Sequence, residues 1–180
     1  TAWDSALKGN ESLDAGTITL DASAYDFTLG DKLNGGARQR MLDNALFLHV
    51  TQDKFYAKFA KAIRDAGYQG PLYGSNWQAP EMLPNYYNLK SDAEVGLIDR
   101  HNYFGKKISD SMLASPGSGI LSSGLQQVAD RPFSLSEWIN VYPDSYGAEG
   151  PPLIAAYGMG LLGWNASYEF QSHSSLQPIP

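Results

Sequence analysis

From Ala37 to about Ala66, apolar residues recur at three- and four-residue spacing: Met41, Leu42, Ala45 and Leu46, then Phe55, Phe59, Ala62 and Ile63. That is the period of one buried helix face, and it predicts a long helix. Thr51-Gln-Asp-Lys54 has the form of an N-cap with an acid in the first turn, which predicts a break near Val50, and Gly67 is placed to cap the C-terminus. Residues 1–36, rich in Gly, Asp, Ser and Asn, read as a loop-rich opening segment with one strand-like run, Thr17-Ile-Thr-Leu20.

After the helix the pattern changes. Gly70-Pro-Leu-Tyr-Gly-Ser-Asn-Trp77, Val95-Gly-Leu-Ile-Asp-Arg-His-Asn-Tyr-Phe104, Pro132-Phe-Ser-Leu-Ser-Glu-Trp138 and Gly160-Leu-Leu-Gly-Trp-Asn-Ala-Ser-Tyr168 each begin apolar and finish on polar and aromatic groups. Strands buried on both faces read as continuous apolar runs, and in parallel α/β folds their carboxyl ends meet the ligand. The connections predict helices from the prolines of Gly150-Pro-Pro-Leu153 onward and, shorter, between Ser118 and Asp130. Ala79 to Glu94, with Pro80 and Pro84, reads as a substrate-side loop with a short helical turn. No linker divides residues 1–180, so one domain of class α/β is expected, and four strand–helix units fit a barrel better than a sandwich.

Composition removes several functions. A net charge of −6 and a pI near 4.9, with 13 scattered basic residues, argue against nucleic-acid binding, which needs clustered cations. No run approaches the roughly 20 apolar residues that span a bilayer. The absence of cysteine excludes disulfides and thiolate chemistry and leaves the compartment open, with a secreted or periplasmic setting favoured. The first residue is Thr1, with no signal peptide, which is expected where a chain starts inside a longer precursor or after a removed tag. His49, His101 and His173 lack metal-ligand spacing, no Gly-X-Ser-X-Gly occurs, and Gly158-Met-Gly160 lacks the rest of a dinucleotide fingerprint, so no metal or cofactor is expected.

The candidate chemistry sits at the strand ends. Glu137 follows an apolar strand and precedes Trp138; a carboxylate there is costly unless hydrogen-bonded or functional, the plainer alternative being an acid that caps a loop or pairs with Arg100. Alternation places Asp99, His101 and Tyr103 on one side of their strand. An imidazole or hydroxyl beside a carboxylate keeps it ionised and aimed, as a nucleophile requires, whereas the plainer alternative is a satisfied ion-pair cluster. Asn76, Trp77, Trp164 and Asn165 add amides and indoles, which suit the apolar faces and hydroxyl rims of sugars.

Taken in order, the four segments resemble strands five to eight of clan A glycoside hydrolases. The resemblance implies the C-terminal half of a (β/α)8 TIM-type barrel, about four βα units, with a retaining mechanism on a β-linked oligo- or polysaccharide. It assigns Glu137 as nucleophile, oriented by His101 and Tyr103. Asn76, Trp77, Asp99 and Trp138 would contact substrate, and Trp164 would form the floor under the sugar. Retention needs two carboxyls roughly 5 to 5.5 Å apart. The family's acid/base is expected in an Asn-Glu pair after an apolar fourth strand, but Asn10-Glu11 is the one such pair here and no strand precedes it. An open half-barrel would expose sheet edges, so the expected partners are a second copy, a complementary N-terminal half-barrel, or a preceding segment. Two further functions stand beside hydrolysis: a non-catalytic carbohydrate-binding or self-assembling module, and a hydrolase pairing Glu137 with Asp99, Glu149 or Glu169 across a homodimer.

Overall fold

A computed structural model describes residues 3, 6–20, 33–79, 82–104, 111–115, 117, 119–140 and 149–170. They form two compact units, one from residues 1–70 and 78–95, the other from 71–77 and 96–180.

Unit 1 is built on helix α1, Gly35–Asp65, and helix α2, Met82–Val95. The predicted break at Val50 does not occur: Thr51 donates its hydroxyl to Phe47 O, 2.7 Å away and one turn back, so it bonds within the helix instead of starting a new one. The helix stops at Gly67, whose φ of +95° suits glycine; Gly67 N bonds Arg64 O and Tyr68 N bonds Ile63 O, satisfying the last carbonyls. The loop predicted from 79 to 94 is instead α2, because Pro84 falls in the first turn, where a missing N–H breaks no helical bond. His49 fastens the two helices, with Nδ1 2.9 Å from Ser91 Oγ and its ring stacked on Tyr87 at 4.6 Å. The opening segment has no strand at Thr17–Leu20. It is organised by the buried Arg40, which grips both oxygens of Glu11 at 2.5 and 2.7 Å and also bonds the carbonyls of Ala6 and Thr19.

Unit 2 holds three parallel strands in the order β1 (Ile98–Phe104), β2 (Phe133–Asn140), β3 (Ala166–Glu169). The first crossover carries α3, Gly119–Ser123, and a 3-10 turn; the second carries α4, Gly150–Leu153, which continues as a π-helical run over Ile154–Leu161. Pro151 and Pro152 start α4 as predicted, where their fixed φ fits and their absent N–H groups go unused.

The half-barrel expectation is corrected here: the sheet is open and three-stranded, with four helices in the chain as described, and the four βα units are not present. Gly70–Trp77 joins by one bridge, Tyr73 to Leu97, since Pro71 has no donor for a ladder and Gly74 weakens a strand. The run beginning at Gly160 is helical to Leu161, and β3 starts only at Ala166, after Gly163 turns the chain at φ +69°. A short apolar run fits a buried helix as well as a strand, and here the helix begun by the prolines runs through it.

The two faces of the sheet differ. On one, Asn102 donates to Gly119 O and Ser123 Oγ, Phe133 lies 5.0 Å from the Trp164 ring, and Trp138 packs over Gly150, so helices cover it. The other carries Asp99, His101 and Tyr103.

Candidate active site

Regular alternation along β2 would put Glu137 on the face of Phe133 and Leu135, which the helices cover. The register shows otherwise. Arg100 pairs with Leu135 but His101 pairs with Glu137, and on the far side Leu135 pairs with Ser167 while Trp138 pairs with Glu169. Both neighbours see one additional residue in β2, a bulge at Ser136, and it shifts Glu137 to the face of Asp99 and His101.

There His101 Nδ1 lies 2.9 Å from Glu137 Oε2, with side chains 14% and 21% exposed. An ionised carboxylate only accepts, so Nδ1 carries the proton and donates it to Oε2. Among the described residues, Glu137 Oε1 has no hydrogen bond.

Asp99 sits behind this pair, fully buried. It accepts from Ser134 Oγ, from Ser136 Oγ at 2.5 Å and from Ser136 N at 3.1 Å. Beyond Glu137, toward the carboxyl ends of the strands, Tyr103 and Phe170 reach across β2 and meet edge to face at 6.1 Å. Register places Tyr168 on this same face, 64% exposed.

The structure therefore joins Glu137, His101 and Tyr103 on one face. Asp99 shares it, but its oxygens are spent on serines. Trp164 is 4% exposed and packed between Phe133, Tyr157 and Gly158, and Trp138 is buried over Gly150; both belong to the helix-covered side. Arg100, the alternative partner for Glu137, points to that side as well and reaches Gln126 Oε1. Asn76 and Trp77 follow the Tyr73 bridge along the chain; Trp77 is exposed, and among the described residues no hydrogen bond or ring contact ties either to Glu137.

The remaining carboxylates have other partners or directions. Glu11 is held in unit 1 by Arg40 and by the amides of Lys8 and Thr19, which outweigh burial and keep it far below the usual carboxylate range, the reverse of what a proton donor needs. Burial works to raise Glu149, but bonds from Ser111 Oγ, Met112 N and Leu113 N overcome it and lower the group. Glu169 pairs in register with Trp138, on the face opposite Glu137.

The sequence reading missed the bulge, the serine bridge to Asp99, and Tyr168 with Phe170. Alternation after Asn165 could have pointed to the last two; the bulge leaves no such mark. Among the described residues, no group of three His, Asp or Glu side chains could hold a metal ion, and no helix is long and apolar enough to cross a membrane. Comparison with protein-family models, curated proteins and solved structures finds no match to the chain.

Proposed function

We propose that the chain acts as a retaining glycoside hydrolase on a β-linked oligo- or polysaccharide, with Glu137 as nucleophile. The observation that carries this reading is the 2.9 Å His101–Glu137 pair, midway along parallel strands β1 and β2, with Tyr103 and Phe170 beyond it toward their carboxyl ends. Ligands of open α/β sheets bind outside those ends. His101 holds Oε2, which aims Oε1 at an anomeric carbon. Tyr103, Tyr168 and Phe170 offer flat apolar surfaces suited to the C–H faces of a pyranose. The carboxylate attacks the anomeric carbon as the glycosidic bond breaks; a second carboxyl roughly 5 to 5.5 Å away protonates the leaving oxygen and then activates water.

That proton donor is assigned to another chain, a second copy being the first candidate, because among the described residues Asp99 is occupied and Glu169 faces away. The same two facts favour a second reading, a carbohydrate-binding module without turnover.

An aryl β-glycoside panel separates the readings. Glu137→Gln is expected to lower kcat by at least about 1,000-fold in the native assembly. Turnover that survives the substitution contradicts the nucleophile assignment. Oligosaccharide binding by calorimetry, with no turnover in wild type, selects the module. Light scattering after size exclusion tests the source of the donor, since an active monomer of 19.6 kDa would rule out a second copy.

A further inference from the structure

The bulge at Ser136 decides which face Glu137 presents. Without it, the pair Arg100–Leu135 would be followed by His101–Ser136 and Asn102–Glu137. Glu137 would then lie with Asn102 under α3, where Asn102 bonds Gly119 O and Ser123 Oγ. One extra residue moves it to His101, because a slip of one position exchanges the faces of a strand.

A bulged residue loses its ladder partner, and its buried N–H must find another acceptor. Asp99 Oδ1 supplies it, 3.1 Å from Ser136 N, while the Ser136 hydroxyl donates to Oδ2 and the Ser134 hydroxyl to Oδ1. Three donors thus converge on one buried carboxylate, on the strand that also carries His101.

We infer that Asp99 is a positioning residue for Glu137: bridged to Ser134 and Ser136, it holds the bulge that turns Glu137 toward His101. Its role is to fix backbone register, not to touch substrate. A carboxylate suits this task better than an amide, since Asn has one acceptor oxygen for the three donors and could keep its second bond to Ser136 only if that hydroxyl turned from donor to acceptor. The inference goes beyond the glycosidase reading and rests on it only for its kinetic arm.

The test is nuclear magnetic resonance on the whole chain with 15N-histidine. In wild type the His101 Nδ1 proton is expected to be deshielded by its bond to the Glu137 carboxylate, and the ring to show a contact to the Glu137 methylenes. Asp99→Asn is expected to lose both signals, as Glu137→Ala does, while the far-UV spectrum is retained. Ser136→Ala should weaken them, and Ser136→Thr, which restores the hydroxyl, should bring them back; loss of packing alone would not produce that rescue. If Asp99→Asn does not fold, the Ser136 variants carry the test. His101–Glu137 signals unchanged in Asp99→Asn, or unchanged in Ser136→Ala, overturn the inference. With a turnover assay in hand, Asp99→Asn should lower kcat by at least about 100-fold with little change in KM, since misplacing a reacting group by about 1 Å already costs that much. Wild type without aryl-glycoside turnover counts against the glycosidase reading, and the resonance comparison still decides the role of Asp99.

Discussion

In unit 1 the buried charge that organises irregular backbone is Arg40, and a carboxylate answers it: Glu11 takes both guanidinium nitrogens, with carbonyls of Ala6 and Thr19 filling in. In unit 2 it is Asp99, and among the described residues its partners are neutral, two hydroxyls and one amide. The first arrangement cancels charge and holds a loop on a helix. The second brings no cation and uses the carboxylate as a directional acceptor, fixing the register of a strand whose next residue is Glu137. Buried charge thus serves cohesion in one unit and aim in the other.

If this contrast is right, acid should strike unit 1 first. Glu11 is depressed below its ordinary 4.5, foremost by the Arg40 hydrogen bond, so its contribution is fully present above that value and is lost progressively as pH falls below it toward the folded value. Urea unfolding followed on the amides of α1 should show a midpoint that drops steadily below about pH 4.5, and Glu11→Gln should lower the midpoint at neutral pH and flatten the decline. Glu149 in unit 2 is depressed too, by Ser111, Met112 and Leu113 against burial, so Glu149→Gln is the matching control and should flatten a smaller decline there. Equal acid sensitivity of the two units would break the contrast.

Unit 2, resting more on packing, should respond to volume. A Cβ on Gly158 would sit 2.3 Å from Trp164 Cε3, inside the packed face under the helices. Gly158→Ala should destabilise unit 2 by about 1–3 kcal/mol in chemical denaturation and leave the α1 amides unaffected. The smallest effect is expected at Tyr168, which is exposed on the opposite face. Tyr168→Ala should change stability by no more than about 0.5 kcal/mol. It should weaken oligosaccharide binding roughly tenfold in a calorimetric titration, the size expected for losing one aromatic platform. Unchanged binding would remove Tyr168 from the site.

Parts of this were legible in the chain. The long helix and its stop at Gly67 are written in a 3.6-residue period and a glycine, and the start of α4 in Pro151-Pro152. The nearness of His101 and Glu137 was implied by the family resemblance alone, since regular alternation along β2 would part them. The number of strands did not follow. The segment after Gly160 is apolar without a period, so helix and strand fit it equally, and the prolines upstream decided for helix. Gly70–Trp77 resembles a strand in composition, yet Pro71 and Gly74 limit it to one bridge. Helix α2 was hidden by Pro84, which breaks a helix only in its interior. The bulge was illegible for a deeper reason: Ser134-Leu-Ser-Glu137 reads as plain alternation, and only the Asp99 carboxylate on the neighbouring strand makes the extra residue stable. For the same reason Asp99, read from the chain as a substrate contact, lies buried behind the site, and Trp164, read as a sugar floor, lies in the core.

The central claim, that Glu137 is an aimed nucleophile, is tested most directly by trapping it. A 2-deoxy-2-fluoro aryl β-glycoside slows breakdown of a glycosyl-enzyme, so incubation with the native assembly followed by peptide mass spectrometry should find one fluoroglycosyl group on the peptide containing Glu137, absent from Glu137→Gln. A label on another residue, or turnover of the parent glycoside with no label at Glu137, would contradict the account.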